Sequence, residues 1–384
     1  MGANTASLTV LLTNLVLDWP SGTVIYTRDL ALELQRLGHR PIVYTWLNGQ
    51  AGRELAAAGV EVMDDLWRIR VRPDVIHGHH RPLVRGALLR FPDVPAVVFC
   101  HNPSDPWDAP APDQGIRRYF GVSELCRQRL LAMGAPADAT SVRPNFVDLR
   151  KFASGPPLPR KPSRALIFNN YTTSETNLPA IREAAARAGI PLDVIGRGVG
   201  NMVDHPENIL ADYDLVFAVG KAALEAMAVG SAVVLCDTPG LGPMVTSENF
   251  AGLRARNFGL AALTNPVTPD RVEQAMSGYD PVDAARVRAI VRQQCGLELA
   301  AAELVAVYGQ VIAEAEASRP AASNGITVRR TGSHRLAPIR YRAAKVPTVA
   351  FYRTFGLGPR RVPGPIRPAY VLARAAMRRV LGVR

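Results

Sequence analysis

From residue 8 to residue 150, short apolar runs alternate with longer segments in which apolar residues recur every three to four positions. The runs Leu8–Leu12, Pro41–Thr45, Asp74–His77, Ala96–Cys100 and Tyr119–Val122 predict strands. Thr23–Leu37, closed by Gly38, and Glu124–Met133, closed by Gly134, predict helices. Glycine just past a last turn takes the left-handed conformation at no steric cost. Regular strand–helix alternation implies a parallel, doubly wound sheet. The apolar run Leu8–Leu17 has no positive segment before it and no small-residue cleavage site after it, and it stops at Asp18-Trp19-Pro20. It is therefore expected to be a first buried strand rather than a signal peptide.

A proline-rich stretch, Ala153–Ser163, can continue neither element and predicts an interdomain linker. A second alternating set follows: Ala165–Phe168, Leu178–Ala188, Leu192–Ile195, Leu215–Val219, Ala222–Val229 and Ala232–Cys236. The Ala-rich pattern Leu297–Ala317 predicts a closing helix. The expected organisation is one domain over residues 1–152, a linker at 153–163, a second domain over 164–318, and a tail from 319 to 384. A chain of 384 residues suits two cores of ordinary size.

Charge changes the picture at one end only. Residues 319–384 hold 15 of the 45 Lys and Arg and none of the 33 Asp and Glu, so the rest of the chain has 30 cations against 33 anions, a net of −3. The net charge of +12 therefore belongs to the tail. Within the tail, Ala369–Val383 reads as a short amphipathic helix, with Val371, Leu372, Met377, Val380 and Leu381 beside Arg374, Arg378 and Arg379. Such a tail suits an anionic membrane surface, or else simply stays solvated. With few aromatics (Phe351, Tyr352, Phe355) and no recognised module, it is not expected to bind nucleic acid. Four scattered cysteines form no CxxC pair, which suggests a reducing cytoplasm. No run of 18 apolar residues predicts a membrane span.

In a doubly wound sheet, ligands bind beyond the carboxyl ends of the strands, so the loops there hold the candidates. The first is Trp19-Pro20-Ser21-Gly22-Thr23, where Gly22 is either a turn residue or a place for close approach of phosphate to a helix start. The second is Val219-Gly220-Lys221 at the start of a helix. Free N–H groups there suit a diphosphate and Lys221 adds positive charge. Glu225, one turn on, faces the same way; it accepts bonds from ribose hydroxyls or makes an exposed i,i+4 pair with Lys221. The third is Gly196-Arg197-Gly198-Val199-Gly200, a weak glycine motif after a strand. His77, His79 and His80 lack the carboxylate or cysteine that would complete a metal set, so no metal is expected. Asp212-Tyr213-Asp214 reads as a strand-entry loop. His101, after the strand Ala96–Cys100, sits at a strand end, as a site residue or a structural histidine.

Taken together, residues 8–316 resemble the GT-B glycosyltransferases of group 1, the retaining family 4 enzymes. The resemblance lies in Pro20-Ser21-Gly22 followed by Leu30-Ala31-Leu32-Glu33-Leu34-Gln35-Arg36-Leu37-Gly38-His39, in Asp74-Val75-Ile76-His77, and in Val97-Val98-Phe99-Cys100-His101. It continues in Val122-Ser123-Glu124, in Arg143-Pro144-Asn145-Phe146-Val147-Asp148, and in Leu224-Glu225-Ala226-Met227-Ala228-Val229-Gly230, which is similar to the family's "L-E-A-M-A-x-G".

The resemblance implies an α/β fold of two Rossmann-like domains facing across a cleft. It implies transfer of a hexose from a nucleotide diphosphate sugar, with retention and without a cofactor or required metal, to a cell-surface glycan or lipid-linked acceptor. By resemblance Gly22 and Gly220 face the diphosphate, Glu225 holds the ribose, and His101 contacts the transferred sugar. A cytoplasmic enzyme of cell-envelope polysaccharide synthesis, peripheral on the membrane, is the expected setting. The chain departs from the family in three places. The family's first glutamate falls on Phe217, its loop glycine falls on Phe146, and Phe168–Glu175 lacks the usual Arg and Lys. Lys221 and Arg197 are the expected substitutes for that charge. The departures also suit a second reading, a catalytically silent GT-B scaffold that binds nucleotide.

Overall fold

A computed structural model describes residues 7–18, 21–105, 107–108 and 113–318, together with Tyr341 and Lys345. Trp19 and Pro20 of the first loop and the expected terminal helix at Ala369–Val383 lie outside the described residues.

The apolar run Leu8–Leu17 forms a buried strand, as expected, and continues beyond the Leu8–Leu12 core of the pattern. β1 spans Thr9–Leu17 and is buried from Val10 onward. It carries two polar residues, Thr13 and Asn14, that are wholly enclosed. It is followed by α1 (Gly22–Arg36), β2 (Arg40–Asn48), α2 (Gln50–Ala57), β3 (Glu61–Met63), β4 (Val75–His79), α3 (Arg81–Arg90), β5 (Ala96–Cys100), β6 (Ile116–Gly121), α4 (Glu124–Ala132) and β7 (Thr140–Val142). These strands form one sheet in the order β3-β2-β1-β4-β5-β6-β7. β1 pairs in parallel with β2 and β4, β2 with β3, and β4 with β5. With helices between parallel strands, both sheet faces are covered. This explains why the central strands read as unbroken apolar runs instead of alternating ones.

The second sheet holds β8 (Ala165–Phe168), β9 (Leu192–Ile195), β10 (Leu215–Ala218), β11 (Ala232–Asp237) and β12 (Gly240–Met244), in the order β12-β11-β10-β8-β9. Only the edge pairing of β11 with β12 is antiparallel among the pairs of this sheet. α5 (Leu178–Arg187) follows β8 and α6 (Gly220–Val229) follows β10. After β12 come α7 (Phe250–Ala255), α8 (Pro269–Met276), α9 (Pro281–Gln294) and α10 (Leu297–Ala317). One core cluster packs α6 and α9 against one face, through Leu224, Met227, Val229, Val287 and Val291. The other face is covered by α5 and α8, through Leu178, Ile181, Val272 and Met276.

The chain divides into two compact units. The first comprises residues 1–119, 132–139 and 307–384, and the second comprises 120–131 and 140–306. The division does not fall at the proline-rich stretch. Residues 153–163 have no helix or strand, as expected, but belong to the second unit: Gly155 N–H donates to Val229 O, Arg288 donates to Gly155 O, and Tyr279 OH donates to Pro159 O. The first unit instead recovers the chain midway along α10, from Val307 onward.

Part of the expected tail also belongs to the first unit. Tyr341 is buried, with its ring 5.7 Å from Trp46 and 5.6 Å from Trp67. Its hydroxyl lies 3.1 Å from that of Tyr44 and accepts from Trp46 Nε1 at 3.1 Å. Burial raises its pKa well above the ordinary phenol value, so it stays neutral. Gly86 on α3 makes the room: a Cβ there would lie 2.2 Å from Tyr341 Cζ. Lys345 donates to the carbonyl of Asp64.

Candidate functional site

In the first unit the carboxyl ends of β1, β4 and β5 lie side by side, because all three run parallel. Val10 to Leu12 pair with Val75 to His77, and His77 and His79 pair with Val97 and Phe99. Asn14, buried in β1, donates to Thr23 O at 2.9 Å and to Thr27 Oγ1 at 2.8 Å, so it ties the strand to the first turn of α1. Gly22 opens that turn. Its φ is not positive, and a Cβ on it would meet nothing within 4 Å among the described residues. Neither a turn conformation nor a close protein neighbour requires glycine at this place.

Four histidines gather at the ends of β4 and β5. His77 and His79 point to the same side of β4 and are 0 % exposed. Thr13 holds their strand: its hydroxyl donates to His79 O at 2.8 Å and accepts from His79 N–H at 3.0 Å. His77 Nδ1 lies 2.6 Å from the hydroxyl of Tyr308 on α10, and its ring stacks on Phe99 with centroids 4.6 Å apart. His79 Nδ1 lies 3.0 Å from His101 Nε2. Tyr26 on α1 closes the nest, its ring centroid 5.3 Å from His79 and 4.9 Å from His101. Among the described residues, Nε2 of His77 and Nε2 of His79 are buried without a hydrogen-bond partner.

Desolvation lowers the pKa of His77 and of His101 to about 3 and takes His79 well below the usual value. All three are neutral imidazoles at neutral pH. His80 is also lowered by burial, to about 4, with Asp105 opposing. It caps α3 at φ 62°, an unusual conformation for a bulky residue, and its Nδ1 accepts from Leu15 N–H at 3.2 Å. The loop after β5 is wired to the same corner. Asp108 accepts from the N–H groups of His101 and Asn102, and Arg81 N–H donates to Trp107 O. Among the described residues no group of three His, Cys, Asp or Glu is placed to hold a metal ion.

The second unit assembles the other candidates. β8 lies between β10 and β9, so the loops after these strands share one edge of the sheet. Gly196-Arg197-Gly198 packs on the loop after β8: Arg197 N–H donates to Asn170 Oδ1 at 3.2 Å and Gly198 N–H to Asn170 O at 3.1 Å. A Cβ at Gly198 would lie 2.0 Å from Thr172 O, which is the physical reason for glycine there. This contact sets Arg197 beside the segment Asn169–Glu175 that lacks Arg and Lys of its own. In the same loop Thr172 Oγ1 is buried without a partner among the described residues.

At the start of α6 the structure revises two expectations. Gly220 N–H donates to Phe258 O at 2.8 Å, so it is not among the groups offered to a diphosphate. Lys221 and Glu225 do not form an exposed pair: they are 8 % and 4 % exposed, with Lys221 Nζ 3.6 Å from Glu225 Oε1. Lys221 Nζ also donates to Phe146 O at 3.1 Å and lies 5.3 Å from the Phe146 ring. The family's departure at Phe146 is therefore matched inside the unit by Lys221. Phe217 lies within β10, wholly buried in the core, and serves packing.

Asn257 and Phe258 went unnoticed in the sequence. They take φ 55° and 50° in succession, and present Asn257 Oδ1 to Asn145 N–H at 3.0 Å and Phe258 O to Gly220. No local sequence signal marks a phenylalanine in the left-handed region, which is uncommon for a bulky side chain.

Residues 20–151, which include Gly22, the four histidines and Asp108, match the family described as Glycosyltransferase Family 4. The structure as a whole is similar to a glycosyltransferase of Rickettsia africae ESF-5, at 12% identity and a TM-score of 0.59, over 80% of this chain and 99% of that one. It is also similar to HepE of Anabaena: in complex with UDP and glucose, 14% identity, TM-score 0.57, 79% of this chain and 100% of that one; in complex with UDP-glucose, 14% identity, TM-score 0.58, 81% and 100%. At these identities the likeness is one of fold, and the fold is GT-B. No curated protein sequence matches the chain. Domain and fold together put the chain among the glycosyltransferases.

Proposed function

We propose that the chain transfers a hexose, with retention, from a nucleotide diphosphate sugar to a cell-surface glycan or lipid-linked acceptor. The observation that carries this reading is the family 4 match over residues 20–151. That stretch contains both Gly22, a helix-start glycine whose Cβ would meet nothing within 4 Å among the described residues, and His101, a neutral imidazole at a strand end. The UDP and UDP-glucose held by the structurally similar HepE support a nucleotide sugar as donor.

The chemistry asks for stabilisation of a leaving diphosphate and of an oxocarbenium-like carbon, so fixed donors matter more than a nucleophile. We assign the N–H groups at the start of α1, with Gly22, to the diphosphate and Arg197 to the donor nucleotide, while Gly220, held by Phe258 O, and Lys221, held by Glu225 and Phe146 O, fix the start of α6. Glu225 takes the ribose and His101 the transferred sugar. Neither a cofactor nor a metal enters this scheme. We place the enzyme in the cytoplasm, in cell-envelope polysaccharide synthesis, held to an anionic inner membrane face by the arginines of its C-terminal segment. No helix of the described residues is long and apolar enough to cross a membrane.

A thermal-shift screen with UDP, GDP and their sugars tests the donor. A ligand that binds the native state at 100 times its Kd stabilises it by about 2.7 kcal/mol, which is readable as a rise in Tm. The anomeric configuration of the product, read by proton NMR, tests retention. The second reading, a silent GT-B scaffold, is favoured by Phe217 and by the loop Asn169–Glu175. It predicts nucleotide-dependent stabilisation without turnover.

A further inference from the structure

The histidine nest has more buried nitrogen than it has partners, and that imbalance decides where its protons sit. Neutral imidazole carries one N–H and one bare nitrogen. In the contact between His79 Nδ1 and His101 Nε2, at 3.0 Å, one nitrogen donates and the other accepts. Suppose His101 Nε2–H donates. His79 must then carry its own proton on Nε2, which is fully buried and has no partner among the described residues. Suppose instead that His79 Nδ1–H donates. The enclosed Nε2 is then a bare lone pair, and no N–H is orphaned. Orphaned buried donors are the rarer and costlier case, so the second arrangement holds.

The same reasoning applies one residue pair away and supports it. His77 Nε2 is equally enclosed, so His77 Nδ1–H donates to the Tyr308 hydroxyl at 2.6 Å. The backbone of His79 is itself held at both its N–H and its C=O by Thr13 Oγ1, so the donor cannot drift along the strand. The ring of Tyr26, edge-on to His79 and His101, blocks rotation toward α1.

If His101 Nε2 accepts, the single proton of neutral His101 lies on Nδ1. We infer that His79 is a positioning residue, which fixes His101 as the Nδ1–H tautomer so that this partly exposed imidazole offers a hydrogen-bond donor to a hydroxyl oxygen of a bound sugar. The inference rests on the glycosyltransferase reading for its ligand but not for its geometry. In this arrangement neutral His101 gives a hydrogen bond through its one N–H, and burial, which lowers its pKa to about 3, keeps it from binding a second proton at neutral pH. His79 touches no ligand.

The test begins on the resting, full-length protein with ¹⁵N-labelled histidine. Long-range ¹H–¹⁵N correlation spectra distinguish the two tautomers of each ring. The expected result is Nδ1–H for His77, His79 and His101; an Nε2–H pattern for His101 overturns the proposal with no substrate present. Steady-state kinetics with a saturating acceptor then separate positioning from a packing role. His79→Leu removes the donor and is expected to lower kcat roughly tenfold or more, the scale of losing an orienting partner, with KM for the donor sugar little changed. His79→Asn keeps an N–H donor near the Nδ1 position and is expected to recover most of that rate. Equal loss in His79→Leu and His79→Asn, or a change in KM alone, overturns the proposal. A protein that shows the Nδ1–H pattern yet transfers no sugar refutes the glycosyltransferase reading and leaves the tautomer assignment standing.

Discussion

Removing the Tyr341 side chain tests whether the basic C-terminal segment is part of the first unit. Tyr341→Ala deletes a buried aromatic ring that packs on Trp46 and Trp67. Truncations of buried aromatics cost about 3–5 kcal/mol. The groups left behind keep a bond, since Trp46 Nε1 still donates to Tyr44 OH at 2.7 Å, so no desolvation penalty is added. Tyr341→Phe, which loses only the hydroxyl, is expected to cost about 1 kcal/mol. The sharper test is the partner glycine. Gly86→Ala puts a methyl 2.2 Å from Tyr341 Cζ, and overpacking of this kind costs about 1–3 kcal/mol. In the Tyr341→Ala background the clash is gone, and Gly86 lies inside α3, where alanine is better than glycine by about 0.5–1 kcal/mol. The effect of Gly86→Ala should therefore change sign between the two backgrounds. Urea unfolding followed by the fluorescence of the adjacent tryptophans measures all four proteins. If Gly86→Ala has the same sign with and without Tyr341, the contact does not hold the segment and the reasoning fails.

Glu225→Gln is expected to raise KM for the donor sugar at least tenfold and, because it takes the counter-charge from buried Lys221, to cost about 3–5 kcal/mol in urea stability; unchanged donor kinetics would remove Glu225 from the site. His101→Ala is expected to lower kcat more than it weakens donor binding, and an equal effect on both would mark a structural histidine. His77 and His101 have folded pKa values of about 3 against 6.5 unfolded, so the unfolded chain binds more protons below pH 6.5. Their stabilisation is complete above pH 6.5 and is lost as pH falls toward 3, at about 1.4 kcal/mol per pH unit for each ring. A urea midpoint that stays flat between pH 6.5 and 5, before most carboxylates titrate, would contradict their burial. Full-length protein is expected to pellet with anionic vesicles at low salt and to be released at high salt. Because Tyr341 and Lys345 belong to the first unit, the matching truncation ends after Lys345 and removes eight arginines; equal pelleting of both forms would refute a membrane role for that segment.

The sequence by itself determined the fold class. Apolar runs such as Ala96–Cys100 and Ala165–Phe168, separated by helical periods and stopped by glycine, have one economical solution, parallel strands with helices on both faces. The closing helix Leu297–Ala317 was legible to the residue, because a long Ala-rich segment has no competing period. What the sequence could not decide depends on contacts between distant residues. Nothing local marks Val307 as the point where a single helix passes from one unit to the other, or Tyr341 as core in a stretch dominated by Arg, Pro and Gly. The Lys221–Glu225 spacing is the same whether the pair is solvated or enclosed; tertiary packing, which brings Phe146 O to Lys221 Nζ, decided it. His77, His79 and His101 are two strand ends in the sequence, without a carboxylate to suggest a site. Parallel pairing of β4 with β5 set them against one another, and burial made the position of each proton a property of the nest, because an enclosed N–H must find its partner in the protein.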